Sequence, residues 1–308
     1  MEASNKLAMA MNVGVTTLIA FLCVNVVFPL PYSFFRALSS AAVEILILLV
    51  ISGFVSLRFG KTWLMVSCFL GGIALCDFLH KAHSSDFVYA QPVSESKQLR
   101  VAHFQLADGC TDSFLRHQIL PLDADVVSLQ LPADMDFSAC LAKPLRQRYA
   151  YQHDFLHETG RIVLFSARPI RRLDTVQAAG QSSLLATLRL DSVSGDVRLL
   201  CTALSTPNGW EYDAQISRQL DALTLHLQQL PQQLPLLTLG SSTLATWQPE
   251  WRFFKTANTL NDSRFDWHLQ HVDAHIFYSH QLECTRFQLH SQGVEGSYQI
   301  RQKQPQNI

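Results

Sequence analysis

From Leu7 to Phe35 the chain carries no charged side chain. Two more apolar runs follow: Ala37 to Leu57 holds a single charge, Glu44, and Thr62 to Leu79 holds only Asp77. A helix that crosses the hydrocarbon core of a bilayer needs about 20 apolar residues. The three runs therefore predict transmembrane helices near 9–29, 39–57 and 62–80. Pro29 and Pro31 end the first, and Arg58-Phe59-Gly60-Lys61 makes the turn between the other two. A cleaved signal peptide fits the first run poorly, since two spans follow it and no small-residue cleavage site stands out. Residues 1–80 hold seven charged residues and the other 228 hold 42, so an apolar membrane domain precedes a soluble remainder.

Basic residues beside the spans set the expected orientation. With the N-terminus in the cytosol, the inner side carries Lys6, Arg58 and Lys61 and the outer side Arg36 and Lys81. This places the C-terminal domain on the periplasmic or extracellular face of the cytoplasmic membrane. Glu44 is the one ionisable group well inside a predicted span. Intramembrane charge is costly and often functional. The alternative is that Glu44 lies close enough to the interface to snorkel or to pair with Arg36.

Residues 81–98 are polar, carry Pro92 and a Ser-Glu-Ser-Lys run, and read as a linker to a domain at 99–303 with a tail at 304–308. Strands are expected at 99–105, 125–130, 149–153, 161–165, 184–190 and 197–203, the last two joined by a hairpin turn at Ser194-Gly195. Later strands are expected at 236–239, 272–278, 284–289 and 296–301, with helices at 112–120 and near 136–147. The clearest helix spans 211–230, where Ile216, Leu220, Leu223, Leu227 and Leu230 recur on one face. Hairpins and crossover helices together imply an α/β or α+β sandwich, sheets covered by helices. The soluble part sums to a net charge of about −2 with no Lys/Arg block, which argues against nucleic acid as a partner. Cys110, Cys140, Cys201 and Cys284 are scattered singly without a CxxC pair, leaving one disulfide or four buried thiols as readings.

The order of segments from Leu99 to Arg301 resembles the endonuclease/exonuclease/phosphatase superfamily. The family's first strand ends in Phe-Asn, here Phe104-Gln105, and its second in Leu-Gln-Glu, here Leu129-Gln130-Leu131. Gly160 through Ser166-Ala-Arg-Pro169-Ile170 matches a Gly…Ser-x-x-Pro-Ile strand, and Thr202-Ala203-Leu204-Ser-Thr-Pro207 matches Thr-His-Leu-x-x-Pro. A helix bearing Arg218 leads to Leu239-Gly240-Ser241-Ser242-Thr243 in place of a Gly-Asp-x-Asn turn. Val272-Asp273-Ala-His275-Ile-Phe-Tyr-Ser279 resembles Ile-Asp-His-Ile-Phe-x-Ser with one residue extra, and Gly296-Ser297-Tyr298-Gln299 stands for a terminal Gly-Ser-Asp-His. The resemblance implies a two-sheet α/β sandwich, which follows the three N-terminal transmembrane helices expected from the apolar runs. The layout also resembles multi-span members that act on lipid-linked pyrophosphates.

In that family an Asn and a Glu bind a divalent metal, a His and Asp pair work on the nucleophile, and the Gly-Asp-x-Asn turn stabilises charge. Here Gln105 keeps only an amide, and Leu131 offers no oxygen to a hard cation. Ala203 cannot transfer a proton. Ser241 and Thr243 replace Asp and Asn, and Tyr298 and Gln299 replace Asp and His. No cofactor is expected on this reading, and the chain reads as a membrane-anchored pseudoenzyme that binds a protein partner or a lipid headgroup. The alternative is an active phosphohydrolase with rebuilt chemistry, using magnesium or another divalent metal. Its best candidates are Asp266, His268, His271, Asp273, His275 and His280, of which His271, Asp273 and His275 alternate and would share one face of a strand. A second polar cluster, His153, Asp154, His157 and Glu158, fits a loop before a buried strand. Trp210, Trp247, Trp251, Phe253, Phe254 and Trp267 read either as core or as an interface.

Overall fold

The computed structural model describes residues 2–30, 33–83, 89–92, 98–106, 111–134, 144–158, 160–191, 195–204, 212–231, 233–242, 244, 246–264 and 273–301. The chain forms two units, Met1–Ser85 with Thr246–Pro249, and Asp86–Ala245 with Glu250–Ile308.

The first unit is helical: α1 (Glu2–Val27), the short α2 (Ser33–Ser40), α3 (Ala42–Arg58) and α4 (Thr62–His83). Small residues let the long helices approach. A Cβ on Gly71 would lie 3.1 Å from both Cys23 Sγ and Ile19 Cγ2, and one on Gly53 would lie 3.0 Å from the Phe69 ring. Such close packing through glycine is how helices associate where hydrocarbon replaces water. A polar contact adds to it: the Trp63 indole donates to Thr16 Oγ1 at 3.0 Å, which lies 3.1 Å from Ser67 Oγ. Trp247 belongs to this unit, donating from its indole to the Ser39 carbonyl at 2.7 Å and packing against the cluster of Cys23, Val26, Ala42 and Leu49. Glu44 sits in the first turn of α3, where the helix dipole favours a carboxylate.

All three expected long helices form, but among the described residues one helix, not three, is long and apolar enough to cross a membrane. It is Thr62–Ala82, 21 residues, or about 31 Å. The 17 residues of α3 span only about 25 Å, and the apolar part of α1 is Asn12–Val27. Both are shorter than a hydrocarbon core of roughly 30 Å.

The second unit is a sandwich. One sheet has the order β11-β12-β1-β2-β4-β3 and the other β5-β6-β7-β8-β10-β9. The strands are β1 (Leu99–Gln105), β2 (Val126–Leu131), β3 (Tyr151–His157), β4 (Gly160–Ser166), β5 (Ile170–Ala178), β6 (Gln181–Asp191), β7 (Gly195–Ala203), β8 (Leu236–Ser241), β9 (Leu260–Asp262), β10 (Ala274–Ser279), β11 (Leu282–His290) and β12 (Gly293–Ile300). Each sheet has one parallel pair at its centre, β1 with β2 and β7 with β8. The helices are α5 (Asp112–Phe114), which continues into a π turn at Leu115–Ile119, α6 (Pro144–Arg148), α7 (Tyr212–Gln229) and α8 (Pro249–Ala257).

Alternation along the strands builds three cores. Val101, Val126, Leu164, Leu199, Leu239 and Ile276 fill the space between the sheets. Phe104, Val127, Leu129 and Phe165 point the other way and pack with Leu115, Ile119 and Leu145. Leu200 and Phe277 pack behind the second sheet with Leu220, Leu223, Trp251 and Phe254. Central strands covered on both faces read as continuous apolar runs, which is why Val126 through Leu129 are all buried. α7 matches the expected helix, its Ile216, Leu220 and Leu223 face inward, and Leu223→Ala is expected to cost about 2–5 kcal/mol in a chemical denaturation midpoint.

Several boundaries differ from expectation. The start of the expected helix at 136–147 lies outside the described residues, and α6 begins at Pro144. Tyr149 is not in β3 but is a buried core residue whose hydroxyl donates to the Ala124 carbonyl at 3.2 Å. β5 and β9 were not expected. β5 is an edge strand whose Arg171, Arg172 and Leu173 are exposed, so it lacks an apolar alternation. Part of the expected linker is structured: Tyr89 packs on the inter-sheet core, and the Ala90 N–H donates to the Cys284 carbonyl at 3.0 Å. Cys201 and Cys284 are free, buried thiols pushed up to about 12 by burial, while Cys110 and Cys140 lie outside the described residues.

Candidate functional site

The parallel pairs define one end of the sandwich. β1 and β2 finish side by side with Gln105 opposite Gln130, and β7 and β8 finish with Ala203 opposite Ser241. His103 joins the two sheets there. Its Nδ1 lies 3.2 Å from Ser128 Oγ on β2, and its Nε2 lies 2.8 Å from Ser241 Oγ on β8. Ser128 also bonds the Cys201 thiol on β7. All four groups are buried. Burial alone drives the His103 imidazole down to about 3, so it is neutral near pH 7 and acts as a hydrogen-bonded bridge. The four partners make a polar crossing within a largely apolar inter-sheet core. The sequence signal for it was present but unread: His103 alternates with Val101 and Gln105 on the inward face of an apolar strand.

Gln105, Ala203 and Ser241 therefore meet at this rim, with Gln130 Oε1 buried and without a partner among the described residues. Leu131 does not join them. It points away from the cleft into the core behind the first sheet, with Leu106, Leu115 and Leu145. Thr243 lies outside the described residues.

The assignment of Tyr298 and Gln299 to the rim is corrected by register. β12 runs antiparallel to β1 with Tyr298 opposite Leu99 and Gly293 opposite Phe104, so both residues sit at the far end of the strand. Tyr298 is an inter-sheet core residue whose hydroxyl lies 2.7 Å from Ser263 Oγ. Gln299 donates to the Gln91 carbonyl and to Glu283 Oε2 at 3.2 and 3.0 Å. Gly296 is there because the Tyr298 ring occupies its Cβ position, 2.2 Å from the hydroxyl oxygen. The residues that reach the rim on this strand pair belong to the turn before β12: the Gln105 N–H donates to the Gln292 carbonyl at 2.9 Å. Gln292 was missed because Gly296-Ser297 offered a closer motif match a few residues on.

The alternative metal site is not assembled among the described residues. His271 lies outside them, as do Asp266 and His268. Asp273 precedes β10, and its carbonyl accepts the Ser242 N–H at 2.9 Å. His275 pairs with Gly240 on the outer face of the second sheet, its ring centroid 4.3 Å from Trp251 and 4.7 Å from Phe277. Burial holds this imidazole well below its ordinary value, with His103 and Arg264 adding to the effect. His275 thus lies on a face that Trp251 covers, and His280 is exposed in the turn after β10. Among the described residues no three His, Cys, Asp or Glu side chains converge to hold a metal ion.

The other candidates have structural roles. Asp154 pairs with Arg161 at 3.4 Å, His157 is buried and desolvation lowers its imidazole below the ordinary value against the pull of Glu158, and Glu158 accepts the backbone N–H and the hydroxyl of Ser182 at 3.2 and 3.1 Å. Trp251 and Phe254 are fully buried, and Phe253 alone of that helix's aromatics is exposed. Trp210 and Trp267 lie outside the described residues.

No protein-family model matches this chain, and no curated protein matches it. Solved structures do match. The human Nocturnin catalytic domain with bound sulfate aligns at a TM-score of 0.57 and 16% identity, over 70% of this chain and 96% of that one. An endonuclease/exonuclease/phosphatase from Beutenbergia cavernae aligns at 0.52 and 17%, over 66% and 72%. Humanized D. rerio TDP2 aligns at 0.52 and 12%, over 66% and 100%. The sandwich unit has the endonuclease/exonuclease/phosphatase fold.

The described residues at the rim do not fit a divalent cation. Gln105 contributes one amide, Leu131 faces the wrong core, Ala203 has no donor, and the Ser241 hydroxyl is engaged by His103. A hard cation needs several oxygens, usually with carboxylates among them.

Proposed function

We propose that this chain is a membrane-anchored protein of endonuclease/exonuclease/phosphatase fold that has exchanged hydrolysis for binding, presenting its sandwich at the outer face of the cytoplasmic membrane to a protein partner or a lipid headgroup. The observation that carries this reading is the chemistry of the rim. The position that holds the metal carboxylate in the family is Leu131, and its side chain is part of a hydrophobic core. Anchoring is supported by the first unit's surface. Leu18, Phe21, Leu48, Ile51, Phe54, Leu70 and Ile73 are all exposed on it, a covering that costs free energy in water and none in lipid. Three spans remain the proposed topology, with α1 and α3 short enough to require local thinning of the bilayer.

The test is catalytic. The purified full chain in detergent is expected to show no magnesium-, manganese- or zinc-dependent turnover of phosphomonoesters, DNA or lipid pyrophosphates above a metal-only blank. Leu131→Glu is expected to leave that result unchanged and to lower stability, because it buries a carboxylate behind the sheet. Metal-dependent turnover by the unmodified chain that disappears on changing Asp273 would overturn the proposal.

A further inference from the structure

At the end of the sandwich opposite the His103 rim, where β7 and β8 begin with Arg198 opposite Leu236, the surface is indented by a cavity of about 70 Å³. That is room for several waters or for one small organic ion, since a single water needs only about 10–15 Å³. Leu227, Leu234 and Leu236 line it together with Arg198, Ser279 and His280.

Two features separate this groove from an ordinary surface dent. The first is the state of Arg198. Its guanidinium donates from Nη1 to the Pro231 carbonyl at 2.7 Å, and among the described residues it has no carboxylate partner. The neighbouring cation Arg172 is itself paired with Asp174 at 2.6 Å. Desolvation, with Arg172 beside it, already disfavours the Arg198 charge, so an anion in the groove would be stabilised. The second feature is Thr259, also in the lining, whose φ is +54°. A β-branched residue in that region is strained, and such strain gathers where a chain is shaped around a ligand.

The chemistry narrows the ligand. Among the described residues of the lining, Arg198 is the one permanently charged cation, beside His280, and it balances a monoanion, whereas a phosphate monoester brings a charge of about −1.5 to −2. The Ser279 oxygen accepts the Leu236 N–H at 3.0 Å, which leaves its hydroxyl proton to donate. We propose that the groove binds a small monocarboxylate bearing a short apolar chain, with the carboxylate on Arg198 and the Ser279 hydroxyl and the chain against Leu227, Leu234 and Leu236. The site stands apart from the rim and does not depend on the function proposed above.

The experiment measures the reactivity of Arg198 itself. The full chain in nonionic detergent is treated with phenylglyoxal, and adducts at Arg198 and at the exposed Arg189 are quantified by peptide mass spectrometry. Hexanoate at about ten times its Kd is expected to slow modification of Arg198 roughly tenfold by mass action, while Arg189 reacts at an unchanged rate. Acetate is expected to require higher concentrations, and Leu234→Ser to weaken protection by hexanoate but not by acetate. Equal protection by hexanol, or no carboxylate slowing Arg198 relative to Arg189, overturns the proposal.

Discussion

Between pH 7 and pH 3 the sandwich unit is expected to lose about 4–5 kcal/mol of stability to one side chain, His103. In the unfolded chain an imidazole titrates at about 6.5. In the folded protein burial lowers it to about 3. Because the folded-state value is depressed, the unfolded state binds the proton first as pH falls. Stability is therefore complete above about pH 6.5 and is lost as pH falls toward 3. His157 and His275 are shifted in the same direction, so the whole-chain dependence is steeper than one histidine provides. His103→Gln removes the titration while keeping an amide able to bond Ser128 or Ser241. Urea midpoints followed by tryptophan fluorescence at pH 7, 6, 5 and 4 separate the contributions. The variant is expected to begin less stable at pH 7 and to show the flatter slope. Parallel slopes for the two proteins would show that His103 takes up its proton in the folded state at the same pH as in the unfolded chain, and would overturn the burial effect.

The same residue marks where sequence reading succeeded and where it stopped. β2 was legible because both its faces are covered, so its apolar run is unbroken. α7 was legible because Ile216, Leu220, Leu223 and Leu227 repeat at helical spacing. β5 was not, because an exposed edge strand carries Arg171 and Arg172 where a buried one carries valine. The order of motifs identified the fold. The side chains at the rim needed two quantities that a motif does not contain. One is the face: Leu131 is next to Gln130 in sequence but on the opposite side of the sheet. The other is the register: Gly296-Ser297 resembles the family's closing motif, yet the pairing of Phe104 with Gly293 puts the rim several residues earlier. His103 was passed over because an isolated histidine in an apolar strand carries no sign that serines from both sheets wait for its two nitrogens.

The rim's dependence on register leads to the second large effect, Gly293→Ala. A Cβ on Gly293 would stand 2.3 Å from the His103 carbonyl oxygen and 2.4 Å from Phe104 Cδ1. The first of these is backbone in the centre of a sheet, so no rotamer change relieves it. Either β12 moves off β1 or β1 shifts and takes His103 with it. Overpacking in a core costs typically 1–3 kcal/mol, and a clash with fixed backbone is expected at or above the top of that range, about 3 kcal/mol. Gly240→Ala makes the informative comparison. Its Cβ would approach Thr202 Oγ1 at 2.3 Å, His275 Nε2 at 2.9 Å and the Thr202 carbonyl oxygen at 3.0 Å; the closest of these is a side-chain atom rather than backbone, so the cost is expected to be smaller. Gly14, inside α1 with nothing within 4 Å of a Cβ, is the control without a clash, and Gly14→Ala is expected to cost nothing and to gain up to about 1 kcal/mol of helix propensity. Beyond stability, Gly293→Ala should disturb the Gln105 N–H bond to the Gln292 carbonyl, and hydrogen exchange at the Gln105 amide reads that directly. Faster exchange at Gln105 in Gly293→Ala but not in Gly240→Ala is the expected pattern. Equal stability of Gly293→Ala and the unmodified chain would mean that β1 and β12 do not pair in the register that places the turn before β12 at the rim.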